Sequence, residues 1–239
     1  MRWEDDGTIL SLRRHGETSA IVEIFTATRG RHAGLVRGGA SRKMAPHLQP
    51  GTHVRAEWSA RLDDHLGVFK VETLRSRSAA LMGDATALAV FGAVSGLLRA
   101  TLPEREDHPR LYRETEALFD ALGAGDPGPA YALWELVLLE DMGFGLDLSE
   151  CAVTGVTQDL AFVSPKSGRA VSRNGAGEWA ARLLPLPPFM RAGIDSANPE
   201  DLAAGLRLTG HFLENRLMPE LGRDRLPEAR TRALSLLLR

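Results

Sequence analysis

The feature that most constrains this chain is a change of period near residue 78. From Gly7 to about Arg75, apolar residues alternate in short runs broken by turn residues, the pattern of a small antiparallel barrel. Beyond Ser78 they recur every three to four residues, as on amphipathic helices. A chain of 239 residues has room for two cores of ordinary size. The switch places the expected boundary, with a β domain over residues 1–78 and a mainly helical domain over 79–239.

Five strands are predicted: Thr8–Arg14, Ser19–Thr26, Arg31–Arg37, Thr52–Ala60 and Leu66–Thr73, with turns at His15-Gly16-Glu17, Thr28-Arg29-Gly30 and Asp63-Asp64. Alternation sends Val54, Ala56 and Trp58 inward and His53, Arg55 and Glu57 outward. By the same rule Arg31, Ala33, Leu35 and Arg37 share one side of the third strand. Those two arginines are then placed to follow one phosphate backbone.

In the helical part, Leu88, Phe91, Val94, Ser95 and Leu98 make one stripe, and Leu111, Thr115, Leu118 and Leu122 another. Tyr131–Met142 is apolar nearly all round and is expected at the buried centre. Residues 146–176, with their Gly, Ser, Thr and Pro165, interrupt the helices and include the extended piece Leu160–Val163, so a loop-and-strand insertion is expected. Helices resume near Glu178 and again at Asn198, a suitable N-cap before Pro199, Glu200 and Asp201. The last one runs from about Pro227 to Leu238.

The net charge of −2 conceals a division. Residues 1–78 carry thirteen Lys and Arg against nine Asp and Glu, a balance of +4, whereas the remainder is acidic. Between positions 29 and 55 lie Arg29, Arg31, Arg37, Arg42, Lys43 and Arg55 and no acid at all. Solubility is better served by mixed signs, so these six residues are candidates for gripping a polyanion. The first 78 residues hold few rings, namely Trp3, Phe25, Trp58 and Phe69, and alternation buries Trp58. Cations with few stacking platforms suit binding through phosphates, indifferent to sequence and open to duplex as well as single strands.

Catalytic patterns are missing. The barrel histidines at 15, 32, 47, 53 and 65 have no metal-ligand spacing, Asp63-Asp64-His65 falls on a turn, and there is no Walker loop or G-x-S-x-G. A non-enzymatic protein without a cofactor is expected. The C-terminal arginines Arg216, Arg223, Arg225, Arg230, Arg232 and Arg239 read as a solvated helix face in preference to a second DNA contact. A single cysteine, Cys151, excludes an intrachain disulfide. The first residues lack a signal-peptide pattern, and no apolar run reaches the ~18 residues of a membrane span. A cytoplasmic location without membrane attachment is the expectation.

Several stretches resemble the bacterial recombination mediator family RecO. They are Gly7-Thr8-Ile9-Leu10, His15-Gly16-Glu17-Thr18, Ile24-Phe25-Thr26, Arg29-Gly30-Arg31, Val36-Arg37-Gly38-Gly39 and Leu48-Gln49-Pro50. Further on come Leu111-Tyr112-Arg113, Trp134-Glu135-Leu136, Asp141-Met142-Gly143-Phe144 and Leu183-Leu184-Pro185-Leu186. The resemblance covers nearly the whole chain. It implies an α+β architecture in which an N-terminal five-stranded OB-fold barrel precedes a mainly α-helical domain with a small degenerate zinc-finger-like insertion. It also implies binding of single- and double-stranded DNA, strand annealing, and RecA loading in the RecF pathway. Its implied partners are RecR and the acidic C-terminal tail of single-stranded DNA-binding protein.

That family often carries four zinc-binding cysteines in the insertion. Here Cys151 stands alone, Thr154 occupies the place of its partner, and Gly168–Gly175 supplies no thiol, so no zinc is expected. Packing of Leu160, Phe162 and Val163 is expected to hold the insertion instead. A protein-binding scaffold on the same barrel, without direct DNA contact, is the alternative reading.

Overall fold

The computed structural model describes residues 1–194 and 197–239. It divides into two compact units, Met1–Gly125 and Asp126–Arg239. The first begins with strands β1 (Arg2–His15), β2 (Ser19–Thr26), β3 (Gly30–Val36), β4 (His53–Ser59) and β5 (Val68–Arg75). They close into a barrel of order β1-β2-β3-β5-β4, that of the OB fold, and the chain is α+β. β1 starts six residues before its expected beginning. Its first half pairs with β4 and its second half with β2, and a register shift between Ile9 and Ser11 lets one strand serve both neighbours.

The barrel core is the inward parity of each strand: Ile9, Ala20, Val22, Ile24, Val36, Val54, Ala56, Trp58 and Phe69, capped by Leu48. Val54, Ala56 and Trp58 are buried as alternation requires. The indole of Trp58 stays satisfied by donating to the Leu66 carbonyl (3.0 Å). Gly34 lies directly beneath the Phe69 ring, where a Cβ would overlap it.

Three helices complete this unit: α1 (Ser78–Gly83), α2 (Ala85–Thr101) and α3 (Pro109–Ala121). Asp84 caps α2 by accepting from Thr86 N (2.8 Å) and Ala87 N (3.1 Å). The buried stripe of α2 starts at Ala87, Val90 and Phe91, while Leu88 is 49% exposed. Expecting Leu88 in that stripe is therefore corrected: one position of helical phase turns it outward. The stripe Leu111, Thr115, Leu118 and Leu122 is buried throughout.

The second unit centres on α4 (Gly128–Asp141), which packs on α7 (Pro199–Phe212). Tyr131, Ala132, Trp134, Leu138 and Leu139 of α4 are buried, whereas Leu133, Leu136 and Val137 keep partial exposure. Between these helices lies a three-stranded sheet of β6 (Leu160–Val163), β7 (Ala170–Ser172) and β8 (Leu184–Pro185), in the order β7-β6-β8. The short α5 (Arg173–Ala176) and a 3-10 turn, Gly177–Arg182, join β7 to β8, and α6 (Phe189–Ala192) follows. As its sequence suggests, Asn198 caps α7 through a bond from Asp201 N (2.9 Å). A π turn over Leu213–Leu217, α8 (Met218–Glu220) and α9 (Glu228–Leu237) end the chain.

The insertion does not present a metal-type donor set. Cys151 is buried, and its Sγ accepts from Ser172 N (3.2 Å) and Ser172 Oγ (3.4 Å). One thiol among the hydroxyls of Thr154 and Ser172 does not make a zinc donor set. Among the described residues no group of three or more His, Cys, Asp or Glu is placed to hold a metal ion. Leu160 and Val163 are buried and Phe162 half-buried.

Reading the C-terminal arginines as a solvated face needs one correction. Arg230 is buried, and its Nε donates to Glu135 Oε1 at 2.7 Å. Arg216, Arg223, Arg225, Arg232 and Arg239 are exposed.

Candidate nucleic-acid interface

The segment joining β3 to β4 is built by local hydrogen bonds. Gly39 N donates to Val36 O (3.1 Å), Ala40 N to Thr18 O (2.8 Å) and Ala45 N to Ser41 O (2.9 Å), and a 3-10 turn over Ala45–Leu48 follows. Burying Leu48 in the barrel anchors its far end. The backbone is thus fixed while Arg37, Arg42 and Lys43 project into solvent. Among the described residues their side chains make no hydrogen bond or ion pair.

Beside this loop, at the seam where β3 meets β5, lies a cleft of about 450 Å³. Val36, Met44, Val68, Phe69 and Val71 form its apolar floor, with Arg37 and Lys70 among its lining residues. Lys70 was not a candidate from sequence. Alternation along β5 would have found it, since Phe69 points inward and position 70 must point out. Its Nζ lies 3.7 Å from Glu57 and is well exposed. Arg37 and Lys70 thus share one cleft, and Arg42 and Lys43 directly precede Met44 of its floor.

The other three candidates lie elsewhere. Arg29 sits on the β2–β3 turn, exposed and without an ion pair among the described residues, but the length of β3, about 23 Å, separates it from Arg37. Arg31 does face outward like Ala33 and Leu35, yet its guanidinium is only 12% exposed. It donates to Glu23 (2.7 Å), to Glu104 (3.4 Å) and twice to the Leu102 carbonyl (3.1 and 3.3 Å). Those bonds tie β3 to the segment after α2. Arg55, on β4, is held by Asp6 (3.0 and 3.4 Å), with Glu4 at 3.9 Å, and this pairing raises its pKa.

A segment without acids in sequence is therefore not free of acids in space. Glu23 serves Arg31 and Arg99, and burial, which alone would raise its pKa, is outweighed by the Ser11 hydroxyl and these guanidinia, so it stays ionised. No phenylalanine or tryptophan of the barrel offers a stacking platform, since Phe25, Trp58 and Phe69 are buried and Trp3 stacks on Trp58 with centroids 5.8 Å apart.

A second cluster, missed in the sequence, fastens the barrel to α3. Buried Arg77 donates to Glu116 (2.7 Å), Asp120 (2.5 Å) and Thr8 Oγ1 (2.9 Å). Thr8 in turn donates to Glu116 (2.6 Å), and His53 Nδ1 lies 3.2 Å from the same carboxylate. Burial pushes the Glu116 pKa up, but His53, Arg77 and Thr8 outweigh it and hold it at about 2. This is a structural lock and not a surface for ligands.

A closed OB barrel leading into helices, with the exposed cations Arg37 and Lys70 lining a cleft at one seam, defines the class: an OB-barrel protein of mixed α+β architecture. Comparison with known proteins narrows it. The family model described as Recombination protein O N terminal matches residues 1–77, and that described as Recombination protein O C terminal matches residues 82–225. The chain is 58% identical over 240 residues to a DNA repair protein RecO of Ruegeria sp., covering 100% of this chain and 99% of the relative. It is 57% identical over 239 residues, with the same coverage, to one from Cereibacter sphaeroides. This chain belongs to the RecO family of DNA repair proteins. No helix among the described residues is long and apolar enough to cross a membrane.

Proposed function

We propose that the chain is a non-enzymatic, cytoplasmic mediator of DNA repair and homologous recombination. It binds single- and double-stranded DNA, anneals complementary strands and helps load RecA onto strands coated with single-stranded DNA-binding protein. Its partners in this reading are RecR and the acidic tail of that coating protein. The principal grip on DNA phosphates belongs to the barrel domain of residues 1–78, and partner docking to the helical remainder.

The observation that carries the reading is Arg37 and Lys70 lining the β3–β5 cleft, with Arg42 and Lys43 exposed just before Met44 of its floor and no open phenylalanine or tryptophan ring to stack on a base. Such a surface attracts phosphates and leaves base-pairing edges free, as annealing requires. Arg29 extends it along β3, while Arg31 and Arg55 act mainly by shaping the barrel. The apolar floor of the cleft suits the sugar faces of a strand.

The test is annealing of complementary oligonucleotides coated with single-stranded DNA-binding protein, with and without its acidic tail. Tail-dependent annealing is expected. A chain that retains no DNA on a filter at low salt, yet still binds the tail, is a protein-binding scaffold and not a DNA mediator.

A further inference from the structure

Among the described residues Trp179 is the exposed tryptophan, at 56%. It sits on the 3-10 turn Gly177–Arg182 of the second unit, and the Arg182 guanidinium carbon lies 4.9 Å from its ring centroid. Ring, guanidinium and Glu178 bound a shallow recess of about 230 Å³. The neighbouring arginines are occupied: Arg173 is paired with Asp159 (3.1 Å), Arg169 with Glu150 (3.4 Å), and Arg191 donates to the Thr157 carbonyl (3.1 Å). Arg182 has no carboxylate or carbonyl partner among the described residues. An open indole and an uncommitted cation therefore stand together.

We infer that Trp179 and Arg182 form a stacking site for one unpaired base of a single DNA strand, with Arg182 also meeting an adjoining phosphate. This rests on the reading of the chain as a DNA-binding protein. The recess is smaller than the ~300–1,000 Å³ of ordinary ligand pockets and lacks the apolar walls of a peptide groove, so it fits one flat ring. Every base has a π face, so stacking is tolerant of sequence, and arginine adds its cation to the same ring. Bases inside a duplex are already stacked, which makes the site selective for single strands. The cleft in the barrel, which has cations and no open phenylalanine or tryptophan ring, lacks that selectivity. Glu178 opposes the phosphate, so Glu178→Gln tightens binding slightly.

The test uses the chain's own fluorescence with oligothymidylate and with a duplex of equal length. Trp58 and Trp134 are buried and Trp3 is packed in the barrel, so Trp179 reports directly. Single strands are expected to quench the emission and duplex to leave it unchanged. Trp179→Phe is expected to abolish the quenching and hold affinity within about twofold. Trp179→Ala is expected to weaken single-strand binding roughly 5- to 10-fold with duplex binding unchanged. Arg182→Ala should flatten the single-strand salt slope by about 0.7.

The inference is overturned if emission is unmoved at saturation, if Trp179→Ala binds single strands like the parent, or if it loses duplex equally. It is overturned too if Trp179→Ala abolishes self-association in sedimentation and leaves strand affinity intact, for the ring is then a protein contact. Binding without quenching removes this site alone. A parent chain that binds no DNA removes both this inference and the proposed function.

Discussion

Arg230 grips Glu135 at two points inside the second unit, Nε to Oε1 at 2.7 Å and Nη2 to Oε2 at 2.9 Å, and Glu135 is wholly buried. Thr209 donates to the same carboxylate at 2.5 Å, and Arg230 also donates to the Leu206 carbonyl (2.9 Å). Burial would lower the arginine pKa, but Glu135 more than offsets this and raises it. The pair joins α4, α7 and α9 through one charge-assisted contact.

Arg230→Ala leaves an uncompensated carboxylate in the core, and a loss of about 3–5 kcal/mol is expected from chemical denaturation. The double variant Arg230→Met with Glu135→Leu should recover most of that loss, because no charge remains to be solvated. A double variant as unstable as Arg230→Ala would show that packing, and not charge, sets the value.

The Arg77–Glu116 lock has its own acid signature. The Glu116 pKa is held at about 2 against its ordinary 4.5. A depressed carboxylate adds stability that is complete above pH 4.5 and disappears as pH falls toward 2, about 3 kcal/mol in all. Arg77→Met should raise the Glu116 pKa, move the acid-unfolding midpoint upward and destabilise the chain at neutral pH by a similar amount. An unchanged acid limb would dismiss the lock.

The alternating segments made the barrel legible from sequence, because a period of two fixes faces as well as strands. Val54, Ala56 and Trp58 went inward for that reason alone. Helical phase was less forgiving, and Leu88 fell on the solvent side by one position. Buried charges were not legible at all. Arg77 and Arg230 look like surface residues until Glu116 and Glu135, distant in sequence, arrive beside them. The same blindness affected the candidate site, where Arg31 and Arg55 found acids on other strands and Lys70 joined the cleft across the β3–β5 seam.

His32 predicts a second, milder pH dependence. Its ring is enclosed by Trp3, Trp58 and Phe69, with centroids 5.0, 4.8 and 5.9 Å away. Among the described residues neither ring nitrogen has a hydrogen-bond partner. Burial first, then Arg105 and Arg29, lower its pKa from 6.5 to about 4. The unfolded chain therefore takes up a proton that the folded chain refuses. Stability is complete above pH 6.5 and falls as pH drops toward 4, by about 2 kcal/mol between pH 7 and 5. His32→Phe should remove that slope in urea unfolding, and a slope that survives would move the titration to another group.

The cleft makes a last prediction through salt. If Arg37, Arg42, Lys43 and Lys70 each neutralise one phosphate, counterion release gives a slope of log affinity against log salt near −3 for single strands. Removing two of the four by Arg42→Ala with Lys43→Ala should flatten it by about 1 to 1.5. Arg31→Ala differs in kind: its guanidinium is already neutralised by Glu23, so the slope should stay within about 0.3 of the parent while stability falls. Titrating fluorescein-labelled oligonucleotides at several salt concentrations separates these outcomes. A slope that flattens with Arg31→Ala but not with Arg42→Ala and Lys43→Ala would move the phosphate path from the cleft to the outer face of β3.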